Sequence, residues 1–182
     1  MDIIIFMKPQ ENKRFFKMVA LQNSRFVKDF DISEIDEIYP GRQFTAKGKP
    51  YEWCQWYSKS GNPNPKVSLQ TNVPMIHFSD NTIDLLMWYY VGMRFSSPYQ
   101  EVYFFEIKPM SQVHKQRCND KNNLYQCGAQ RIEIVQQVTM GDIFRIANQE
   151  IQNNTDEIIN RYPDKNMLKL IMHVQNNIIR KR

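Results

Sequence analysis

Val73-Pro74-Met75-Ile76-His77-Phe78-Ser79-Asp80-Asn81-Thr82-Ile83-Asp84-Leu85-Leu86-Met87-Trp88-Tyr89-Tyr90 decides the fold class, because it reads first as a strand and then as a helix. Residues 73–78 are the strand. Ser79-Asp80-Asn81 is a helix start: a Ser, Asp or Asn oxygen caps orphan N–H groups, and Asp84 adds favourable charge in the first turn. Ile83, Leu86, Met87 and Tyr90 then fall at i, i+3, i+4 and i+7, one apolar helical face. Gly92 suits a C-terminal stop. Residues 101–108 are the next strand, with Tyr103, Phe105 and Ile107 on one face and Val102 and Phe104 on the other, so both faces are expected to be covered. Pro109 ends it. Residues 115–121 read as a polar, basic loop. Residues 131–138 are a further strand, with Ile132 and Ile134 facing one way and Arg131, Glu133 and Val135 the other. Gly141 is read as a turn into a last strand, Ile143-Phe144-Arg145-Ile146-Ala147. This strand–helix–strand order predicts an α+β fold for residues 73–148.

Outward from that core, residues 2–7 form an apolar first strand rather than a signal peptide, since Asp2 opens them and no small-residue cleavage site follows. Residues 14–21 are another strand. Residues 30–49 are turns around a short extended piece. Residues 49–66 set Tyr51, Trp53, Trp56 and Tyr57 beside Lys49, Lys59 and Lys66, then run through Ser60-Gly61-Asn62-Pro63-Asn64-Pro65. That is turn chemistry, and a long surface loop is expected. Thr155 caps a short helix carrying Ile158, Ile159 and Tyr162. Pro163 opens a final helix with Met167, Leu170, Ile171, Val174 and Ile178 at helical spacing, and Arg180-Lys181-Arg182 complements its dipole. One domain over residues 1–182 is expected: N-terminal strands and aromatic loop to 72, core to 148, C-terminal helices beyond.

Composition agrees with a globular chain. The 182 residues suffice for one core, and 42% hydrophobic with 24% charged is not a disordered balance. A 13% aromatic share supplies apolar area despite a mean hydropathy of -0.59. No apolar run is long enough to span a bilayer, so no membrane partner is expected. Three cysteines at irregular spacing, Cys54, Cys118 and Cys127, are no disulfide framework; a reducing, cytoplasmic compartment is the simpler reading. The net charge of +5 is a mild bias, compatible with an acidic or phosphate-bearing partner and also common among proteins that bind neither.

Two resemblances follow from these residues. His77-Phe78-Ser79-Asp80-Asn81-Thr82-Ile83-Asp84, with Trp88-Tyr89-Tyr90, resembles a small phage and bacterial domain family of unknown function. That family has a Gly-Phe-His-Phe strand and an Asn-Pro-x-Asp helix with paired tyrosines. Its later strands read like Tyr99-x-Glu101-Val102 and Arg131-Ile132-x-Ile134 before Val138-Thr139. The same region resembles the C-terminal half of phage-encoded ADP-ribosyltransferases. There a Ser-x-Ser strand opens a helix, matched by His77-Phe78-Ser79. A strand like residues 102–110 follows, and a glutamate-bearing strand leads into Gly-x-Ile-Phe-Arg-Ile-Ala, matched by residues 141–147. The resemblance implies a compact, largely antiparallel β core flanked by helices, with a C-terminal helix, in an ADP-ribosyltransferase-like fold. It implies NAD as substrate and a macromolecular target, in a host cytoplasm if the chain is viral. It assigns Glu133 to catalysis, and His77, Ser79 and Arg42 to cofactor binding, with Arg25 behind Arg42. The chain departs from the family's motif: Gln130-Arg131-Ile132-Glu133 carries one acid where the family has two acids, or Gln and Glu, two residues apart. His77 replaces the first Ser, and the offset from Glu133 to Gly141 is longer than the family's.

Chemically, a carboxylate at the ribose 2′-OH stabilises the cation that develops as nicotinamide leaves. Glu133 is either that group or a solvent-facing strand glutamate. His77 either orients ribose or is a half-buried strand histidine bonded to backbone; Ser79 either binds cofactor or caps the helix. His114, Cys118, Cys127 and Cys54 are a loose zinc set without a Cys-x-x-Cys pair, and isolated thiols are the plainer reading, so no metal is assigned. The aromatic loop either stacks bases or folds back on the domain. Three functions stay open: an NAD-dependent transferase, a non-enzymatic factor on the same fold that binds a host or cellular protein, and a nucleic-acid-binding module.

Overall fold

The computed structural model describes residues 5–7, 13–22, 25–26, 35–47, 74–95, 101–119 and 124–162. In chain order these hold strands β1 (Ile5–Met7), β2 (Phe15–Gln22), β3 (Arg25–Phe26), β4 (Gln43–Thr45) and β5 (Ile76–Phe78), then helix α1 (Thr82–Phe95). Strands β6 (Glu101–Pro109), β7 (Val113–Asn119), β8 (Leu124–Ala129) and β9 (Arg131–Val138) follow, then helices α2 (Met140–Asn153) and α3 (Thr155–Arg161). The strands form two sheets, ordered β1-β7-β8-β5 and β3-β2-β6-β9-β4, and every pairing is antiparallel. The α+β class with a largely antiparallel core is therefore present. Just after β5 the two sheets are stitched together: Phe16 and Ser79 exchange N–H···O bonds of 2.8 Å in both directions.

Period-2 alternation in the central strands builds two cores, one on each face of the five-stranded sheet. Phe15, Val19, Phe105, Ile107, Ile132 and Ile134 turn inward and meet Ile76, Phe78, Val113, Cys127 and Ala129 of the four-stranded sheet. Phe16, Phe104 and Val138 turn outward and meet Ile83, Leu86, Ile143, Ala147 and Ile151 of the helices. β6 is thus covered on both faces around Phe104 and Phe105, while Lys108 further along its outer face stays exposed. Between β6 and β9 the register shifts: Glu106 pairs with Gln136 and Ile107 with Ile134. Val135 is the extra residue of that bulge and stands 43% exposed.

Several sequence expectations change. Residues 115–119 are strand rather than loop, since β7 pairs with β8 within the four-stranded sheet, and the rest of the expected loop lies outside the described residues. Hydrophobic alternation hid it, because one inward-facing position is Lys115, whose charge is used by a buried acid. Residues 143–147 are not a last strand but the second turn of α2. A short apolar run is ambiguous between the two forms. The helix wins because Thr139 caps it, its Oγ1 accepting the Asp142 N–H at 3.1 Å, and because Ile143, Ala147 and Ile151 bury one stripe four residues apart. Gly141 lies in that first turn. α1 does not stop at Gly92 but runs on to Phe95, and Asn154 rather than Thr155 holds the cap position of α3. Asn81 caps α1, accepting the Asp84 N–H at 2.7 Å. The final helix from Pro163 lies outside the described residues.

Candidate functional site

The four residues that the resemblance selects sit in different settings. Glu133 lies mid-β9, on the outer face, because Ile132 and Ile134 take the inner one. It stands opposite Gln43 of β4 and Lys108 of β6, and Gln43 Nε2 donates to its carboxylate at 2.9 Å. Arg42 precedes β4 on the alternate side: its guanidinium lies 4.9 Å from the inward-facing Phe44 ring and 5.7 Å from Tyr39. It donates to the Glu37 carbonyl and pairs with the Glu37 carboxylate at 3.5 Å. His77 is half-buried on β5, and its carbonyl accepts the Lys17 ammonium at 2.9 Å. Ser79 is buried, and its main chain is the stitch between sheets.

Register decides whether these residues meet. Ser79 faces Phe16, Phe16 faces Glu106, and Glu106 faces Gln136. Three strand spacings are roughly 14 Å. Glu133 lies three residues further along β9. One ribose cannot touch Ser79 and Glu133 together, and Arg42 points to the other face from Glu133. The arrangement brings Glu133 to Gln43, which the resemblance did not select, and not to the side chains of Ser79 or Arg42.

A second constellation escaped the sequence reading. At the foot of α1, Asp80 accepts from Lys13 and Lys115 at 2.7 and 2.5 Å. Burial works against its charged form, but the two ammonium groups outweigh it and hold the carboxyl below the ordinary range. Asp84 is fully buried and takes Arg161 Nη2 at 2.6 Å, the Tyr162 hydroxyl at 2.6 Å and Asn81 Nδ2 at 2.8 Å. Burial nevertheless pushes its carboxyl up, against the pull of Arg161 and the two neutral donors. Glu150 of α2 accepts from Thr82, at 2.7 Å from the hydroxyl and 3.2 Å from the N–H, and burial raises its carboxyl too. Arg161 also lies 4.7 Å from the Tyr125 ring. Beside this knot, Asn81, Ile83, Glu150, Asn154, Glu157, Ile158, Arg161 and Tyr162 line a cleft of about 210 Å³. One signal was available: Asp80 and Asp84 are one helical turn apart beside an apolar face, so a buried acid was foreseeable. Its partners Arg161 and Tyr162 are 77 and 78 residues away and were not.

The zinc set does not assemble on what is described. His114 stands opposite Gly128 and Lys115 opposite Cys127, so His114 and Cys127 use opposite faces of their sheet. Cys127 is fully buried in the inter-sheet core, where desolvation pushes its thiol up and keeps it protonated. Cys54, the Cys118 side chain and the aromatic loop at residues 51–66 lie outside the described residues, as does the Arg25 side chain. Among the described residues, no helix is long and apolar enough to cross a membrane. In comparisons with known proteins, no family model, no curated protein and no solved structure matches the chain.

Proposed function

We propose that this chain is a non-catalytic binding protein that presents, to a host or cellular protein, the polar part of its five-stranded sheet's outer face that the helices leave uncovered. The observation that carries this is the separation of Glu133 from Ser79 and His77 across the sheet. The main chains of His77 and Ser79 help hold the frame and Arg42 pairs with Glu37, while Glu133 stands apart from them beside Gln43. The surface left open is a polar ladder: Arg14 ion-paired to Glu106 at 2.7 Å, Gln136 donating to Glu106 at 2.8 Å, and Gln43 on Glu133, with Lys108 and Val135 exposed among them. Its cations Arg14, Lys108 and Arg131 alternate with Glu106 and Glu133. That mixture suits a protein surface of complementary pattern better than a polyanion, which a single-sign basic stripe would serve. The test is a stoichiometric complex recovered with the full chain. Reversing charge at Lys108 and placing Glu at Val135 should abolish it, while Glu133→Gln should leave it intact. A complex indifferent to both surface changes sinks the reading.

A second reading is an NAD-dependent ADP-ribosyltransferase with Glu133 catalytic. It is supported by the Gln43–Glu133 contact, an amide and a carboxylate joined across strands where the family's motif sets a Gln and a Glu two residues apart. NAD consumption by purified protein, lost in Glu133→Gln, would favour it over the first.

A further inference from the structure

The cleft where α1, α2 and α3 meet is used by neither reading. At about 210 Å³ it is smaller than the roughly 300–1,000 Å³ of pockets that hold drug-sized ligands, so it fits a side-chain-sized group and not a dinucleotide. Ile83 and Ile158 supply its apolar wall, Glu150 and Glu157 its carboxylates, and Asn154 an amide. The one cation in the lining, Arg161, is committed elsewhere, to Asp84 at 2.6 Å and to the faces of Tyr125 and Tyr162 at 4.7 and 5.1 Å. The hydrogen bonds received by the half-buried Glu150 carboxylate come from neutral donors, the Thr82 hydroxyl and the N–H groups of Thr82 and Ile83, and Arg14 attracts it without bonding it. A carboxylate kept partly from water with neutral donors alone gains most from an added cation at contact distance.

We infer that this cleft is a receptor for one alkylammonium or guanidinium group, seated between Glu150 and Glu157 with its methylenes against Ile83 and Ile158. Burial of Glu150, which favours its neutral form, is the demand such a group would meet. The inference stands apart from the sheet-face reading, because the residues that line the cleft are none of Arg14, Glu106, Gln136, Lys108 and Glu133, which make the polar ladder.

The test is a nuclear magnetic resonance titration of the full chain at constant ionic strength. Three probes are compared: n-butylammonium as a free amine, Nα-acetyl-lysine methylamide as a protein-like side chain, and its Nε-acetylated form as a neutral control. Saturable shifts confined to Ile83, Asn154 and Ile158 are expected with the two cations and not with the control. Tighter binding of the lysine derivative assigns the natural ligand to a protein side chain, and tighter binding of butylammonium to a free amine. Glu150→Gln should weaken binding at least tenfold. Gln keeps a carbonyl for Thr82 and removes a buried charge, so the fold should hold; a thermal melt checks this. Glu157→Lys, on the exposed rim, is the second variant and should abolish binding by placing an ammonium at the entrance. No saturable shift with either cation, equal shifts with the neutral control, or undiminished binding in both variants overturns the inference.

Discussion

Glu133 and Asp84 are both acids on regular elements, yet their regions are built on opposite principles. Around Glu133 the sheet faces water, its neighbours are Gln43 and Lys108, and its carboxylate accepts from the exposed Gln43 amide. Around Asp84 three donors from two places in the chain, Asn81 and the neighbours Arg161 and Tyr162, converge on a carboxylate that water does not reach. An exposed pair contributes little because solvent already satisfies both groups. A buried carboxylate cannot give up a partner without leaving the rest uncompensated. The contrast separates a surface free to change for binding from a knot that holds α1, α2 and α3 against the sheets.

The largest expected effect breaks the knot. Asp84→Ala should cost about 3–5 kcal/mol in denaturant unfolding, since Arg161 and Tyr162 lose their shared partner inside the fold. A cost near zero would make the knot an ornament and erase the distinction from Glu133. Asp80→Asn should cost less, about 1–3 kcal/mol at neutral pH, because Lys13 and Lys115 retain some access to water. Its effect carries a pH signature. The Asp80 carboxyl is held low in the fold, so its contribution is present above the unfolded pKa and lost as pH falls through the folded one. Wild type and variant should therefore converge in acid.

Glu150→Gln sharpens the comparison with the opposite sign. A raised folded pKa means that the favourable contribution is complete below the unfolded value and is lost as pH rises through the folded one. The variant should melt above wild type at pH 7, and the gain should vanish below the ordinary carboxylate range. The smallest effect is expected at the open face: Glu133→Gln should change stability in denaturant unfolding by no more than about 0.5 kcal/mol.

Legibility in the sequence followed the same division. β6 and β9 were readable because apolar alternation and burial coincide in them, as Phe105, Ile107, Ile132 and Ile134 show. The start of α1 was readable because Asn81 and Asp84 are local chemistry. The β7–β8 hairpin was not, because Lys115 occupies an inward position that only Asp80, from another strand's end, makes tolerable. α2 was mistaken because the run from Ile143 to Ala147 is too short to reveal its period, and Ile151 lies beyond it. Of the candidate site, the outward placement of Glu133 was legible, and the scatter of His77, Ser79 and Arg42 around it was not.

By itself, the sequence determined an α+β chain with antiparallel-competent strands, the face each central strand buries and the stretch Ser79-Asp80-Asn81 from which α1 starts. These depend on neighbours within a few positions, whose geometry the backbone periods set directly. Only the tertiary structure decided which strands pair, that Ser79 stitches two sheets, that Glu133 and Ser79 stand three strands apart, and that Asp84 finds Arg161 and Tyr162. Many of those outcomes rest on contacts between residues far apart in the chain, such as Lys17 to His77 and Arg14 to Glu106, 60 and 92 positions apart, and no local period encodes such a meeting.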